Sequence, residues 1–146
     1  MRYVDPTDAQ AIALVQRELS GPFSMLNLLR FRDVADYTAH PTLAPATPVS
    51  GAQAYDRYVE HTRPFLEATG GEISWKGRGG PLFVGPETER WDLAMLIRQN
   101  SLDDFFAFAT NEAYLAGVGH RDAAVEDVRM LALDPVDLMP RGQATT

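Results

Sequence analysis

A chain of 146 residues without a cysteine is long enough for one domain with its own apolar core, and it has no disulfides, thiolate nucleophiles or cysteine-ligated metals. Thirteen basic against twenty acidic residues give a formal charge of −7, which opposes non-specific binding to nucleic acid or anionic membrane. No apolar run approaches the ~20 residues that span a bilayer, and Met1 to Pro6 lacks a signal-peptide core, so a cytoplasmic protein is the expectation.

In chain order, Asp5-Pro6-Thr7-Asp8 reads as a helix start, with Asp5 as N-cap and Pro6 at the first helical position. Ile12, Val15 and Leu19 follow at helical spacing, and Gly21-Pro22 ends the element. Phe23 to Phe31 is the most continuously apolar run and carries one amide, Asn27, at its centre. Its length and the preceding breaker pair predict a central strand buried on both faces. From Arg32 to Gly51 periodicity is lost and Pro41, Pro45 and Pro48 intervene, which predicts a long loop covering the mouth of a site.

Ser50 with Gln53 has the form of a capping box, and Tyr55, Tyr58, Val59, Thr62, Phe65 and Leu66 follow on one helical face. Pro64 should kink or loosen this helix, Gly70-Gly71 should stop it, and Glu60 and His61 read as solvated surface. Glu72 to Lys76 and Pro81 to Val84 read as two strand pieces around a glycine-rich turn, with Arg78 as a candidate anion contact. The turn is not a phosphate loop, because no helix follows it. Trp91 to Gln99 alternates as a strand should.

Ser101 to Asp104 caps a further helix with Leu102, Phe105, Phe106 and Ala109 inward, and Thr110-Asn111-Glu112 restarts a short one that Gly117 ends. Gly119-His120-Arg121-Asp122 is left between elements, a last strand runs from about Glu126 to Leu133, and the end of the chain should fray.

One domain over 1-146 follows, with a core of about 22-134, an N-terminal helix in 1-21 and a tail in 135-146. Without the first helix the order is strand, helix, two strands, helix, strand. That is the order of an α+β ferredoxin-like split β-α-β sandwich with an antiparallel sheet. The first and third strands are apolar on both faces, so the helix-free face needs a cover. An identical sheet from a second copy supplies it, giving a homodimeric α+β barrel.

Asn27-Leu28-Leu29-Arg30-Phe31, Gly51-Ala52-Gln53-Ala54-Tyr55, Gly70-Gly71, Arg90-Trp91-Asp92, Ala113-Tyr114, and His120-Arg121 with Glu126-Asp127 form an ordered set of motifs. The set resembles an uncharacterised bacterial domain-of-unknown-function family, number thirteen-thirty. The resemblance implies the dimeric α+β-barrel superfamily, which includes cofactor-independent monooxygenases, haem-degrading enzymes, muconolactone isomerases and dehalogenation-type lyases. It implies no activity by itself.

The chain has no Gly-x-Ser-x-Gly elbow and no His-Glu-x-x-His, and its histidines, His40, His61 and His120, are scattered; no metal or cofactor is expected. Asn27, Trp91 and His120 are similar in type and order to the Asn, Trp and His of oxygenases in that superfamily. In this reading Asn27 and His120 are catalytic, the amide holding an oxyanion and the imidazole serving as base. Trp91 forms an apolar wall, and Arg78 and Arg121 bind an anionic group of an apolar or aromatic small molecule. A second reading satisfies Asn27 from the backbone, places Trp91 in core or interface and pairs His120-Arg121 with Asp122, Glu126 or Asp127. It describes a non-catalytic binder or a dimerisation module.

Overall fold

The computed structural model describes residues 2–138. In order the elements are α1 (Asp8–Gln16), β1 (Phe23–Phe31), a 3-10 turn (Pro41–Leu43), α2 (Gly51–Ala68), β2 (Glu72–Pro81) and β3 (Arg90–Gln99). Then come α3 (Leu102–Ala109), α4 (Glu112–Leu115), α5 (Val118–Ala124) and β4 (Val125–Leu133). The strands form one sheet in the order β2-β3-β1-β4, with every neighbouring pair antiparallel. This is the ferredoxin-like α+β topology expected from the order of elements.

Side-chain alternation divides β1 between the two sheet faces. Phe23, Met25, Asn27 and Leu29 are buried toward the helices, while Ser24, Leu26, Leu28 and Arg30 are only half-covered on the other side. The expectation of a doubly buried strand is therefore corrected within one copy of the chain. The helix-side core joins Leu29 and Met95 to Tyr55 of α2, Ala123 of α5 and Val125 of β4. A second cluster packs Phe23, Met25 and Ala132 against Leu14, Leu19, Leu102 and Phe105.

On the opposite face, cross-strand pairing puts Leu26 between Leu96 and Leu131, and Leu28 beside Ala94. Trp75, Leu131 and Leu133 on that face are 56%, 55% and 37% exposed. An apolar sheet surface of this kind is left without a cover by the chain's own helices.

The expected start and stop of α2 both form, and the helix runs as one element through Pro64. Ser50 Oγ accepts from Gln53 N at 3.1 Å while Gln53 Oε1 accepts from Ser50 N at 2.9 Å. At the far end Gly71 N donates to Leu66 O and Gly70 N to Glu67 O, with Gly70 at φ 83°, a Schellman stop that needs a left-handed residue.

The first helix begins later than expected. Thr7, not Asp5, is its N-cap, because Thr7 and Gln10 form a reciprocal capping box, and Asp5 instead binds Arg121. Ile12 and Val15 are exposed, and Leu14 is the residue that packs inward. In α3 the buried aromatic is Phe108 rather than Phe106.

β2 also differs, running unbroken through Gly77 to Gly80 with a bulge near Ser74. A Cβ on Gly77 would enter the Trp75 ring and one on Gly79 would meet Trp91 O, so these glycines let neighbouring groups lie flat on the strand. Leu82 to Val84 lie beyond it, with Phe83 and Val84 fully exposed at the hairpin tip.

The 32–51 segment is tied down by backbone bonds, from Arg32 N to Ala124 O and from Asp36 N to Ala123 O, and it packs on α5. This segment, expected to cover the mouth of a site, packs there with Tyr37, Leu43 and Val49 extending the core at the Leu29 end. The N-terminal residues run beside β4, Val128 N donating to Tyr3 O at 2.8 Å, which shields that sheet edge. Residues 134–138 have no regular structure, and the rest of the expected frayed tail lies outside the described residues.

Candidate functional site

Asn27 sits on the helix side of β1, opposite Met95 and Met130. It is buried, and its Nδ2 donates to Met25 O at 3.1 Å. That local bond meets part of the cost of placing an amide among methionines.

Trp91 is buried at the start of β3, with Nε1 donating to Glu89 Oε1 at 3.1 Å. Its ring lies 5.0 Å from the guanidinium carbon of Arg129, which is also 4.8 Å from the Tyr3 ring. Asp127 holds the same guanidinium at 2.6 Å, so Trp91 belongs to a cation-π stack that fastens the N-terminal segment to the sheet.

His120 lies on α5, an element the sequence left unassigned. Its Nδ1 is 2.7 Å from the Tyr37 hydroxyl, and the two rings meet edge to face at 5.6 Å. With Arg57, Glu60, His61 and Pro64 of α2, His120 lines an open groove of about 720 Å³. The groove is shallow and largely open to solvent. The inward residues of α2 are Ala54, Tyr55, Thr62 and Leu66, so this groove opens on the solvent side of the helix layer. Asn27, Trp91 and His120 thus occupy different surroundings and share no hydrogen-bond partner.

The two arginines proposed from sequence also separate. Arg121 is engaged by Asp5 at 2.6 Å and Asp122 at 3.1 Å, whereas Arg78 is exposed on the edge strand β2.

Electrostatics sets His120 apart from the other histidines. His40 Nε2 is paired with Asp122 at 3.1 Å, and His61 Nε2 bonds the carbonyls of Ala113 and Tyr114 at 2.9 and 3.1 Å. Burial, then Arg57 and His61, pull the His120 pKa below its ordinary value of 6.5. Burial raises the Tyr37 phenol, against the pull of Arg57, so at neutral pH the pair is a neutral imidazole and a protonated phenol. The free Nε2 can accept or donate, depending on which way the proton lies in the Tyr37 bond.

Tyr37 and Arg57 are the partners that reading along the chain missed. Tyr37 stands 83 residues before His120, and no local pattern links them. Among the described residues no group of three His, Cys, Asp or Glu side chains could hold a metal ion. No helix there is long and apolar enough to cross a membrane.

No family model and no curated protein matches the chain. Among solved structures, it is similar to a Rhodopseudomonas palustris protein of unknown function, RPA0582, at 32% identity over 94% of this chain and 100% of that one, with a TM-score of 0.79. A methylated form of that protein gives 32% identity over 93% and 96%, with a TM-score of 0.80. A dimeric protein of unknown function with a ferredoxin-like fold from Bacteroides fragilis gives 15% identity over 80% and 98%, with a TM-score of 0.47. On the strength of the first of these likenesses, the chain belongs to the family of the Rhodopseudomonas palustris RPA0582 protein.

Proposed function

We propose that the protein is a homodimer joined through its helix-free sheet faces, and that it binds an oxygenated small molecule on which His120 acts in proton transfer. The observation that carries the chemistry is the state of the imidazole. His120 is held by Tyr37 through one nitrogen, kept neutral by its surroundings and turned toward an open groove, while His40 and His61 are occupied by the fold. A reaction of this kind is a cofactor-independent isomerisation or substrate-activated oxygenation. Asn27, Trp91 and Arg78 lie outside the His120 groove, and Arg121 is held by Asp5 and Asp122, so the groups offered to the ligand in this reading are His120 and its groove neighbours on α2.

A second reading, a non-catalytic binding or dimerisation module, is favoured by the internal partners of Asn27 and Trp91. Thermal-shift measurements on the full chain with quinols, lactones and haem separate the two. Under the first reading at least one of these raises the melting temperature, and His120→Ala removes that rise while the dimer stays folded. Ligand stabilisation that survives His120→Ala would contradict it. Loss in Asn27→Ala as well would bring the amide into the same site.

A further inference from the structure

We propose that the groove between α2 and α5 is a site for a small oxo-monocarboxylate, with Arg57 holding the carboxylate and His120 facing the C–H acid beside the ligand's carbonyl. This deepens the proton-transfer reading of His120 and rests on it. The groups that face His120 from each packed element are Arg57, Glu60 and His61 on α2, Tyr37 from the 32–51 segment, and Arg121 and Asp122 beside it on α5.

Most of these are already committed. His61 is fixed by two carbonyls, and its ring fills the space that a Cβ on Gly117 would need. Arg121 is tied to Asp5 and Asp122, and His40 approaches Asp122 from the other side. Arg57 and Glu60 are exposed at the groove and take part in no ion pair among the described residues.

A guanidinium with its donors unused is suited to a carboxylate. Glu60 on the same wall offsets the charge, which favours a ligand with one negative charge over a phosphate dianion. Hydrogen bonds hold the imidazoles of His120 and His61, and exposed Arg57 lines the same groove.

The proton step balances within the site. With the Nδ1 proton directed at the Tyr37 oxygen, Nε2 takes a proton as the C–H bond breaks, and the electron pair passes to the carbonyl oxygen of the ligand. Passage of that proton from Nε2 to the enolate oxygen gives the enol, so the step is a keto–enol tautomerisation that needs no oxidant or cofactor.

The test is a titration of the full-length protein with pyruvate, following the imidazole signals by NMR, with hydroxyacetone as neutral control and inorganic phosphate as dianion control. The expected result is a saturable shift of the His120 signals with pyruvate that weakens about tenfold in Arg57→Met, a surface change that spares the fold, through loss of the charge-assisted contact. Phosphate should act more weakly. If hydroxyacetone moves His120 as well as pyruvate does, and Arg57→Met changes neither, the acid site is overturned while the role of His120 stands. If neither ligand moves His120, both the acid site and the proton-transfer reading are overturned.

Discussion

Replacing Leu26 with glutamate is expected to convert the proposed dimer to a monomer at micromolar concentration. Leu26 stands in the middle of the helix-free face, with Leu96 on one side and Leu131 on the other. A carboxylate placed there would be buried in the proposed interface, with leucine and not a basic residue as its cross-strand neighbour on each side. An unpaired charge in such an interface costs about 3–5 kcal/mol, which is a factor of hundreds to thousands in the dissociation constant. The helix-side core contains no part of Leu26, so circular dichroism should be unchanged while light scattering reports half the mass. An unchanged mass would mean that this face is not the interface.

The second large effect is expected from Gly51→Ala, and its sign opposes helix propensity. In an ordinary helix alanine is favoured over glycine by about 1 kcal/mol. At Gly51, however, an added Cβ would strike Arg32 O and come within 2.6 Å of Ala124 O and 2.8 Å of Arg32 N. These are backbone atoms at the ends of β1 and α5, and none can rotate aside. The hydrogen bond from Gly51 N to Arg32 O, 3.0 Å, must lengthen as the helix is pushed away. A loss of about 3 kcal/mol in chemical denaturation is expected from this overpacking. A change below about 1 kcal/mol would show that the junction of β1, α2 and α5 yields more easily than its geometry implies.

What could be read from the sequence was what is local. β1 and β3 announce themselves by breaker residues and alternation, and the capping box of Ser50 and Gln53 is complete within four positions. The glycines of β2 were misjudged because their reason lies in neighbouring groups, Trp75 over Gly77 and the Trp91 carbonyl beside Gly79.

The α5 helix was missed for a similar cause. It is seven residues long, has no side-chain N-cap bond and contains Gly119. Its stability comes instead from packing on α2 and from the backbone bonds that the 32–51 segment makes to its last residues.

The candidate site followed the same division. His120 could be singled out as a residue type, but the features that set its state, its burial and the neighbouring Arg57 and His61, come from the way other elements pack around it. Asn27 and Trp91 were equally visible as residue types, and it was the partners Met25 O, Glu89 and Arg129 that placed them elsewhere in the molecule.

The acid-base state of His120 follows from the same contacts. Its folded-state pKa lies below the unfolded value, so its contribution to stability is present above the unfolded pKa and is lost as pH falls through the folded one. The measurement that tests the proposed function most directly is therefore an NMR pH titration of the three histidines in the ligand-free protein. The account predicts a His120 midpoint below 6.5, shifted by Tyr37→Phe and by Arg57→Met, with a neutral Nε2 at pH 7. A midpoint above 6.5, unmoved by either substitution, would leave the groove without its base and contradict the account.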